Sequence, residues 1–314
     1  MSSHMTTSSA PGKIILFGEH AVVYGRPALA VPVTQVQATA TVSENSRGGI
    51  WIEAPNINLS SELSSLAPDH PLVAVVTSVF SALGIVRLPA CTIYLQSTIP
   101  VAAGLGSGAA VSVAILRALS AFLGQPLSDE QVNGLTFKVE KLYHGTPSGI
   151  DNTVVTYAKP VYFVKGQPVE IIRVDAPFTI VIGDTGISVP TKESVGTVRK
   201  LWKADSSHWE RVFDRVGEIV WNARQAIERG DIAELGALMD DNHALLKEMN
   251  VSSVELDYLT EAARKSGAHG AKLSGGGHGG NMIALVQKDN AQAVAEALLS
   301  AGAKRTIITT IQTT

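Results

Sequence analysis

Four short segments of this chain combine charged or polar side chains with glycine, a combination that is typical of ligand-binding and catalytic sites. In the first segment, Lys13 follows Pro11-Gly12, and a short apolar run separates it from Gly18-Glu19-His20. A lysine side chain is a mobile point charge that suits a phosphate group or an ionising hydroxyl. The alternative is a solvated lysine and a histidine that only forms hydrogen bonds within a turn.

The second segment, from Pro100 to Ala110, contains three glycines among small residues. Small residues allow backbone N–H groups to approach an anion, and the N-terminus of a following helix adds partial positive charge. The pattern predicts a phosphate-binding loop, although it matches neither the GxxxxGK[ST] loop nor the GxGxxG loop of a dinucleotide fold. A tight turn with a purely structural role is the open alternative.

The third and fourth segments lie further along the chain. Glu140 at a helix end and Asp151 after Gly149 could bind Mg²⁺ and orient an alcohol, respectively, although capping and turn formation explain the same residue types without a ligand. Residues 272–282 hold five glycines, each costing up to ~1 kcal/mol relative to alanine in regular structure. Close approach of a ligand or another backbone would justify them, whereas a flexible hairpin needs only one or two.

Hydrophobic periodicity predicts the elements that position these segments. Residues 90–99 alternate apolar and polar side chains, which predicts a strand entering the second segment. Residues 109–123 lack Pro and Gly and carry Arg117 as their one charge, which predicts a largely buried helix leaving it. Ser128 and Gln131 form a capping box that opens a further helix.

The C-terminal part is predicted to be built separately, as an α+β arrangement with a boundary near residues 166–177. Ser252 and Glu255 form the capping box of one of its helices. The predicted helices cover residues 191–229, 232–247, 256–265 and 290–301, and the predicted strands cover residues 270–273, 281–286 and 305–311.

Composition narrows the class of protein. At 314 residues, with 45% hydrophobic and 17% charged residues, the chain can form two globular domains. Its net charge of -3 does not indicate a positively charged surface that would attract an anionic polymer or lipid, so no nucleic acid and no membrane is expected as a partner. Cys91 is the only cysteine and no plain run of about 20 apolar residues is present, so a cytoplasmic location is expected.

The order of the four segments and the residues within them resemble those of the GHMP kinases over nearly the whole chain. Pro11-Gly12-Lys13, Gly104-Leu105-Gly106-Ser107 and the loop from Gly275 to Gly280 are similar to the three motifs of that superfamily, in the same order. The resemblance implies an α+β, two-domain GHMP kinase fold that binds ATP. Its N-terminal domain would resemble ribosomal protein S5 domain 2 over residues 6–170, and its C-terminal domain would be ferredoxin-like over residues 171–314.

Within the superfamily, residues 18–25 and 144–152 resemble the mevalonate kinase branch, which implies mevalonate as the small-molecule substrate and transfer to its 5-hydroxyl. By that resemblance, Asp151 is the catalytic carboxylate beside the acceptor hydroxyl. Lys13 pairs with it and stabilises the forming charge. His20 would meet the carboxylate of mevalonate.

The resemblance also implies sets of residues for the other ligands. Mg²⁺ would be held by Glu140 and Ser107. The residues implied to bind ATP are Pro100, Ala103, Gly104, Leu105, Gly106, Ser107, Gly108 and Ala109. The residues implied to bind mevalonate are Lys13, Glu19, His20, Asp151, Thr185, Gly276 and Gly277.

Three positions depart from the resemblance. Mevalonate kinases usually carry two adjacent serines in the second motif, and Gly108 stands at the second of them, so metal coordination by the loop would fall to Ser107. His278 interrupts the glycine run of the third motif, and Asn281 stands where a small residue is usual. The alternatives are another GHMP-type kinase, acting on phosphomevalonate or homoserine or with different regiochemistry, and an inactive ligand sensor. The sequence leaves the oligomeric state open, a homodimer included.

Overall fold

The computed structural model describes residues 4–100, 104–144 and 147–313. These residues form strands and helices with short 3-10 turns between several of them. The strands are β1 Met5–Phe17, β2 Ala28–Glu44, β3 Ile50–Ala54, β4 Leu59–Glu62, β5 Cys91–Ser97, β6 Val161–Phe163, β7 Glu170–Ile171, β8 Phe178–Asp184, β9 Gly270–Ser274, β10 Asn281–Val286 and β11 Arg305–Ile311. The α-helices are α1 Pro71–Leu83, α2 Ser107–Phe122, α3 Asp129–His144, α4 Ile150–Tyr157, α5 Thr191–Ala204, α6 Ser206–Arg229, α7 Ile232–Glu248, α8 Val254–Lys265 and α9 Ala291–Ser300.

The chain divides into two compact units, neither of which is continuous in sequence. Unit 1 comprises Met1–Gly12, Val36–Val101 and Leu105–Ala158. Unit 2 comprises Lys13–Gln35, Ala102–Gly104 and Lys159–Thr314. The boundary between residues 170 and 171 stays a prediction, because the units follow contacts rather than a single cut in the sequence.

Unit 1 packs helices α1 to α4 with a sheet in which β4, β3, β5 and the second half of β2 are neighbours. Helix α2 buries ten of its 16 residues and contacts α1, α3, α4 and β5. The capping box of α3 is confirmed, since the Ser128 N–H donates to Gln131 Oε1 at 2.9 Å and the Gln131 N–H donates to Ser128 Oγ at 3.3 Å. These reciprocal bonds fix where α3 begins.

Unit 2 is built around a four-stranded antiparallel sheet in the order β11-β8-β10-β9. Numbered along the chain, these strands stand in the order 4-1-3-2, with helices α5 to α8 after the first strand and α9 before the last. This β-α-β-β-α-β pattern is the ferredoxin-like arrangement. The first half of β2 pairs with β6, which pairs with β7, in the same unit.

Several predicted elements of unit 2 need correction. Strand β8 was not predicted, because every one of its residues is buried and the apolar run shows no alternation. The single helix predicted over residues 191–229 is two helices, since the Asp205 side chain accepts from the His208 N–H and opens α6. Helix α8 is capped by Ser253 and not by Ser252, whose hydroxyl donates to Asp257.

Helices long and apolar enough to cross a membrane are absent from the described part of the chain.

Candidate active site

The first polar segment of unit 2 begins where β1 ends. Gly18 has a φ of 96°, and a Cβ there would lie 2.5 Å from the Pro27 carbonyl oxygen, so the turn requires glycine. Glu19 and His20 follow, only 2% and 4% exposed, and Lys13 on β1 is buried as well. His20 has a φ of 62°, a conformation that a non-glycine residue holds only where its surroundings fix it. The contacts of Glu19 and His20 explain why the turn is fixed.

Glu19 forms a buried ion pair with Lys272 of β9. Glu19 Oε1 accepts from Lys272 Nζ, which also donates to the Leu273 carbonyl oxygen at 2.7 Å. Burial lowers the pKa of Lys272, and the charge of Glu19 opposes that shift. Glu19 Oε2 has no hydrogen-bond partner among the described residues. Because either charge would be costly to bury alone, the pair ties the turn to β9.

The ring of His20 is held in one orientation by the glycine segment between β9 and β10. Its Nε2 lies 3.0 Å from the Gly276 carbonyl oxygen. A carbonyl only accepts, so Nε2 carries the proton and Nδ1 of the neutral ring is an acceptor. Burial lowers the pKa of His20 to about 4; the Gly276 bond opposes this shift, and His278 and Lys272 add to it. His20 is therefore neutral at pH 7.

That glycine segment packs against other backbone segments of unit 2. A Cβ at Gly277 would lie 2.0 Å from the Val251 carbonyl oxygen, and one at Gly279 would lie 2.6 Å from that of Ile187. The His278 N–H donates to the Val251 carbonyl at 2.7 Å, while His278 holds a φ of 59°. Gly277 and Gly279 are thus required by close approach of another backbone, and the segment is not a flexible hairpin.

Thr185 joins the same segment from the end of β8. Its N–H and Oγ1 donate to the Gly280 carbonyl oxygen at 2.9 and 3.0 Å, respectively. Thr185 Oγ1 also accepts from the Ile187 N–H at 3.2 Å. Its hydroxyl is therefore satisfied within the fold, and contact with a substrate stays a prediction.

The second glycine segment is organised differently. Gly104 and Gly106 have φ values of 71° and 73°, and Gly106 is the N-cap residue of α2. Ser107 is the first residue of α2, and a Cβ at Gly108 would meet nothing within 4 Å. Within the described residues, no side chain caps this end of α2. The helix N-terminus and the space at Gly108 fit the predicted phosphate-binding loop.

The remaining positions predicted to bind ATP lie within this loop or beside it. Leu105 and Ala109 are buried and anchor it in unit 1. Pro100 is half-buried. Ala103 lies outside the described residues.

The two predicted carboxylates lie on α3 and α4, which contact each other in unit 1. Glu140 is 9% exposed, and Asp151 lies half-buried in the first turn of α4, after Gly149 with its φ of 94°. Asn152 Nδ2 donates to Asn133 Oδ1 of α3 at 2.5 Å. This bond between two helices fixes the start of α4, and with it the backbone that carries Asp151.

Part of this arrangement was predictable from the amino-acid sequence, and part was not. Within unit 2 the structure brings together Glu19, His20 and Gly276, and Lys272 completes the cluster although no role was assigned to it. A lysine in the middle of a buried strand requires an opposite charge, which is the signal that could have indicated it. Lys13 belongs to unit 2 and Asp151 to unit 1, and their pairing stays a prediction.

Two family models match the chain. The model of the GHMP kinases N terminal domain matches residues 71–159, and the model of the GHMP kinases C terminal domain matches residues 223–304. With the ferredoxin-like order of the unit 2 sheet, these matches confirm the predicted fold class. The chain belongs to the GHMP kinase family.

The chain is similar to several mevalonate kinases. The chain is 38% identical to a mevalonate kinase from Thermococcus onnurineus, with 94% of this chain and 93% of the relative covered. It is 32% identical to a mevalonate kinase from Saccharolobus solfataricus, with 90% of each covered. The crystal structure of L. major mevalonate kinase in complex with R-mevalonate matches with a TM-score of 0.85 and 29% identity, covering 100% of this chain and 97% of that one.

Proposed function

We propose that the chain transfers the terminal phosphate of ATP to the 5-hydroxyl of mevalonate, giving 5-phosphomevalonate and ADP. The observation that supports this most directly is the 38% identity to a mevalonate kinase along 94% of the chain. ATP is the phosphate donor that membership of the kinase family implies. Another GHMP-type kinase is not favoured, because the similar proteins named above are mevalonate kinases.

Phosphoryl transfer asks little covalent chemistry of a protein, so the rate depends on positioning and on cations near the transferring group. Asp151 would orient the acceptor hydroxyl and receive its proton late in transfer. The Asn152–Asn133 bond, which fixes the first turn of α4, supports this role because a base must be held within hydrogen-bonding reach. Lys13 would stabilise the charge that develops on the transferring group.

These roles predict a specific kinetic pattern. Asp151→Asn and Lys13→Met should each lower kcat by about a hundredfold or more, because both act on the transferring centre, while ATP affinity stays within severalfold. Circular dichroism and thermal melting serve as the check that each variant is folded. Near-normal turnover by a folded Asp151→Asn enzyme would remove Asp151 from the catalytic role.

The phosphates of ATP would lie at the N-terminus of α2. This helix has 16 residues, its first N–H groups lack a side-chain cap, and the glycines before it leave the backbone accessible. Such a terminus attracts anions through free N–H groups and through the helix dipole. Residues 104–109 would therefore hold the nucleotide mainly through their backbone.

The donor set in unit 1 fits Mg²⁺. Mg²⁺ takes oxygen ligands and keeps several waters, so a carboxylate, a hydroxyl and phosphate oxygens suffice. Glu140 offers the carboxylate and Ser107 the hydroxyl, on two helices that contact each other. When bound, the ion would neutralise negative charge on the phosphates.

The acceptor would lie against the cluster of Glu19, His20 and Gly276, with Thr185 and Gly277 nearby in the same unit. In the tautomer that the Gly276 carbonyl selects, His20 Nδ1 accepts, so it matches a hydroxyl of mevalonate. Contact between His20 and the carboxylate of mevalonate would require the other tautomer or a protonated ring. The unpartnered Glu19 Oε2 is a second acceptor suited to a hydroxyl.

A screen of acceptors tests the proposed function. ADP release is measured with mevalonate, phosphomevalonate, homoserine and galactose at saturating ATP and Mg²⁺, with the Asp151→Asn variant as the blank. We expect ADP release with mevalonate only. Release with another of these alcohols and none above background with mevalonate would overturn the assignment, and no release with any of them would favour a ligand sensor.

A further inference from the structure

Strand β9 lies at the edge of the four-stranded sheet, with β10 on its one strand-paired side. Successive N–H groups of a strand point to opposite sides, so alternate residues of β9 present their backbone groups to the outer edge. These residues are Ala271 and Leu273, on either side of Lys272. An uncovered edge would leave their N–H and carbonyl groups unpaired.

Four side chains bond these outward backbone groups, one for each. Asp240 Oδ1 of α7 accepts from the Ala271 N–H at 2.9 Å, and the Arg264 guanidinium of α8 donates to the Ala271 carbonyl at 2.6 Å. His243 Nδ1 of α7 accepts from the Leu273 N–H at 3.3 Å. Lys272 Nζ donates to the Leu273 carbonyl at 2.7 Å. These four residues, which we call the edge ladder, replace the hydrogen bonds of a missing neighbouring strand.

Helix α7 can supply two of these bonds because glycines let it approach the start of β9. A Cβ at Gly270 would lie 2.0 Å from the Gly236 carbonyl oxygen, and a Cβ at Gly236 would lie 2.4 Å from the His269 carbonyl oxygen. Asp240 and His243, three residues apart, lie on one face of the same helix. Their short side chains therefore reach the strand directly.

The edge ladder is connected to the cluster of Glu19, His20, Gly276 and Lys272. The Leu273 N–H is held by His243, and its carbonyl is held by Lys272, whose ammonium also pairs with Glu19. The residue after Leu273 is Ser274, whose hydroxyl donates to the Ile15 carbonyl oxygen at 2.7 Å. A shift of the Leu273 peptide would thus move both Lys272 and the start of the segment that carries Gly276.

His243 is held in the protonation state that this contact needs. Since Nδ1 accepts from a backbone N–H, Nε2 carries the proton and faces Asp257 Oδ1 at 3.3 Å. The pKa of His243 is lowered to about 4, mainly by burial and also by Arg264, Lys272 and Lys247, while Asp257 opposes the shift. At neutral pH the ring therefore keeps its acceptor toward β9.

We propose that Asp240 and His243 are positioning residues for the acceptor site, acting through the backbone of β9 on Lys272 and Glu19. Neither side chain is placed against a substrate, and the proposal rests on the proposed function for its kinetic consequence. The structural part, that these side chains hold the outer edge of β9, stands independently of any substrate.

Two variants at residue 243 distinguish the loss of the hydrogen-bond acceptor Nδ1 from a change in side-chain volume. His243→Asn keeps an oxygen close to the position of Nδ1, whereas His243→Leu fills the space and leaves the Leu273 N–H buried without a partner. We expect His243→Leu to raise the KM for mevalonate about tenfold and to leave kcat within about twofold. The reason is that the variant weakens binding of the substrate and of the transition state equally. His243→Asn should stay within about threefold of the parent.

Amide hydrogen exchange, followed by NMR, gives a second readout that needs no catalysis. In His243→Leu the Leu273 amide should exchange at least about tenfold faster, while the amides of β11 keep their protection. Asp240→Leu should do the same to the Ala271 amide, and Asp240→Asn should restore it. Val294→Ala in α9 is the control for general destabilisation, since Val294 is buried in the same unit and lies outside the edge ladder.

The outcomes are distinct. Unchanged exchange at Leu273 and Ala271 in the leucine variants would overturn the edge ladder itself. Faster exchange with an unchanged KM, or an equal rise in KM in Val294→Ala, would overturn the positioning role. If the parent enzyme does not phosphorylate mevalonate, the proposed function fails while the exchange result still decides the structural part.

Discussion

The two glycine-rich segments use glycine for different purposes. Around Gly104 and Gly108, the nearest atom to an added Cβ would be 3.8 Å away or further, and glycine serves the left-handed backbone before α2. Between β9 and β10, Gly277 and Gly279 admit another backbone at distances that no side chain tolerates. The segment before α2 leaves space beside its backbone N–H groups. In the segment between β9 and β10, the Val251 and Ile187 backbone occupies the space beside Gly277 and Gly279.

This difference assigns different tasks to two segments that look alike in sequence. Space beside free N–H groups at a helix N-terminus suits a ligand that enters and leaves, such as a nucleotide phosphate. A backbone packed on a backbone suits the support of nearby side chains, here His20 through the Gly276 carbonyl. The comparison predicts that a side chain at Gly277 or Gly279 affects folding, whereas a side chain at Gly108 affects only ligands.

The largest expected effect is that of Gly277→Ala. The added Cβ would overlap the Val251 carbonyl oxygen, and the φ of 80° disfavours any side chain, so unfolding should become easier by about 4 kcal/mol. Gly275→Ala is the matched control, because its φ of 89° is similar and nothing lies within 4 Å of its Cβ. Its cost should be only about 1 kcal/mol.

Urea denaturation of the parent and both variants measures this difference. Equal losses of stability in Gly277→Ala and Gly275→Ala would contradict the conclusion that the close Val251 backbone requires glycine at residue 277.

The second largest effect on stability is expected at acidic pH, through two buried histidines of unit 2. His20 and His243 are buried and neutral, each with a pKa of about 4 against an ordinary value of 6.5. The unfolded chain therefore binds more protons between these values, so stability is fully present above pH 6.5 and falls as the pH drops toward 4. Each histidine should contribute a loss of about 3 kcal/mol over that range.

His243→Asn sharpens this prediction, because it removes one titrating group and keeps the acceptor. The free energy of unfolding, measured by urea denaturation from pH 7 to pH 4, should fall less steeply in His243→Asn than in the parent by about that amount. Parallel curves for the two proteins would show that His243 is not held neutral by the fold.

The smallest effect on stability is expected in the open segment, at Gly108→Ser. Its Cβ meets nothing within 4 Å, so stability should change by no more than about 0.5 kcal/mol. The same position bears on Mg²⁺, since the family resemblance implies a serine hydroxyl there. We expect Glu140→Gln to raise the Mg²⁺ requirement strongly, Ser107→Ala to raise it moderately and Gly108→Ser to leave it nearly unchanged.

Activity titrated against free Mg²⁺ at saturating ATP tests that order. A Glu140→Gln enzyme with an unchanged Mg²⁺ midpoint would refute the metal role of Glu140, whatever the two loop variants do.

The fold was predictable where local patterns are sharp. Strands β10 and β11 were predicted with the bounds that the structure shows, and the Ser128–Gln131 capping box marks the start of α3 correctly. Strand β8 was missed because a strand buried on both faces carries no alternation to detect. The capping of α8 was misassigned by one residue, since Ser252 and Ser253 both precede the helix and only tertiary contacts decide between them.

The candidate site was predictable as a set of segments, and less so as a set of contacts. Local glycine patterns and the family resemblance indicated the turn at His20 and the two loops. The partner of Glu19 was not predicted, because Lys272 lies 253 positions away and only the fold brings the two together. The edge ladder has no local pattern at all, since Asp240 and His243 read as ordinary polar residues of a helix.

The most direct test of the central claim is the structure of the product. Purified enzyme is incubated with ATP, Mg²⁺ and mevalonate, and the product is examined by phosphorus NMR with and without proton decoupling. The account predicts a phosphate monoester whose phosphorus couples to the two methylene protons at carbon 5. A phosphate without that coupling, as on the tertiary 3-hydroxyl, or no phosphorylated mevalonate at all, would contradict it.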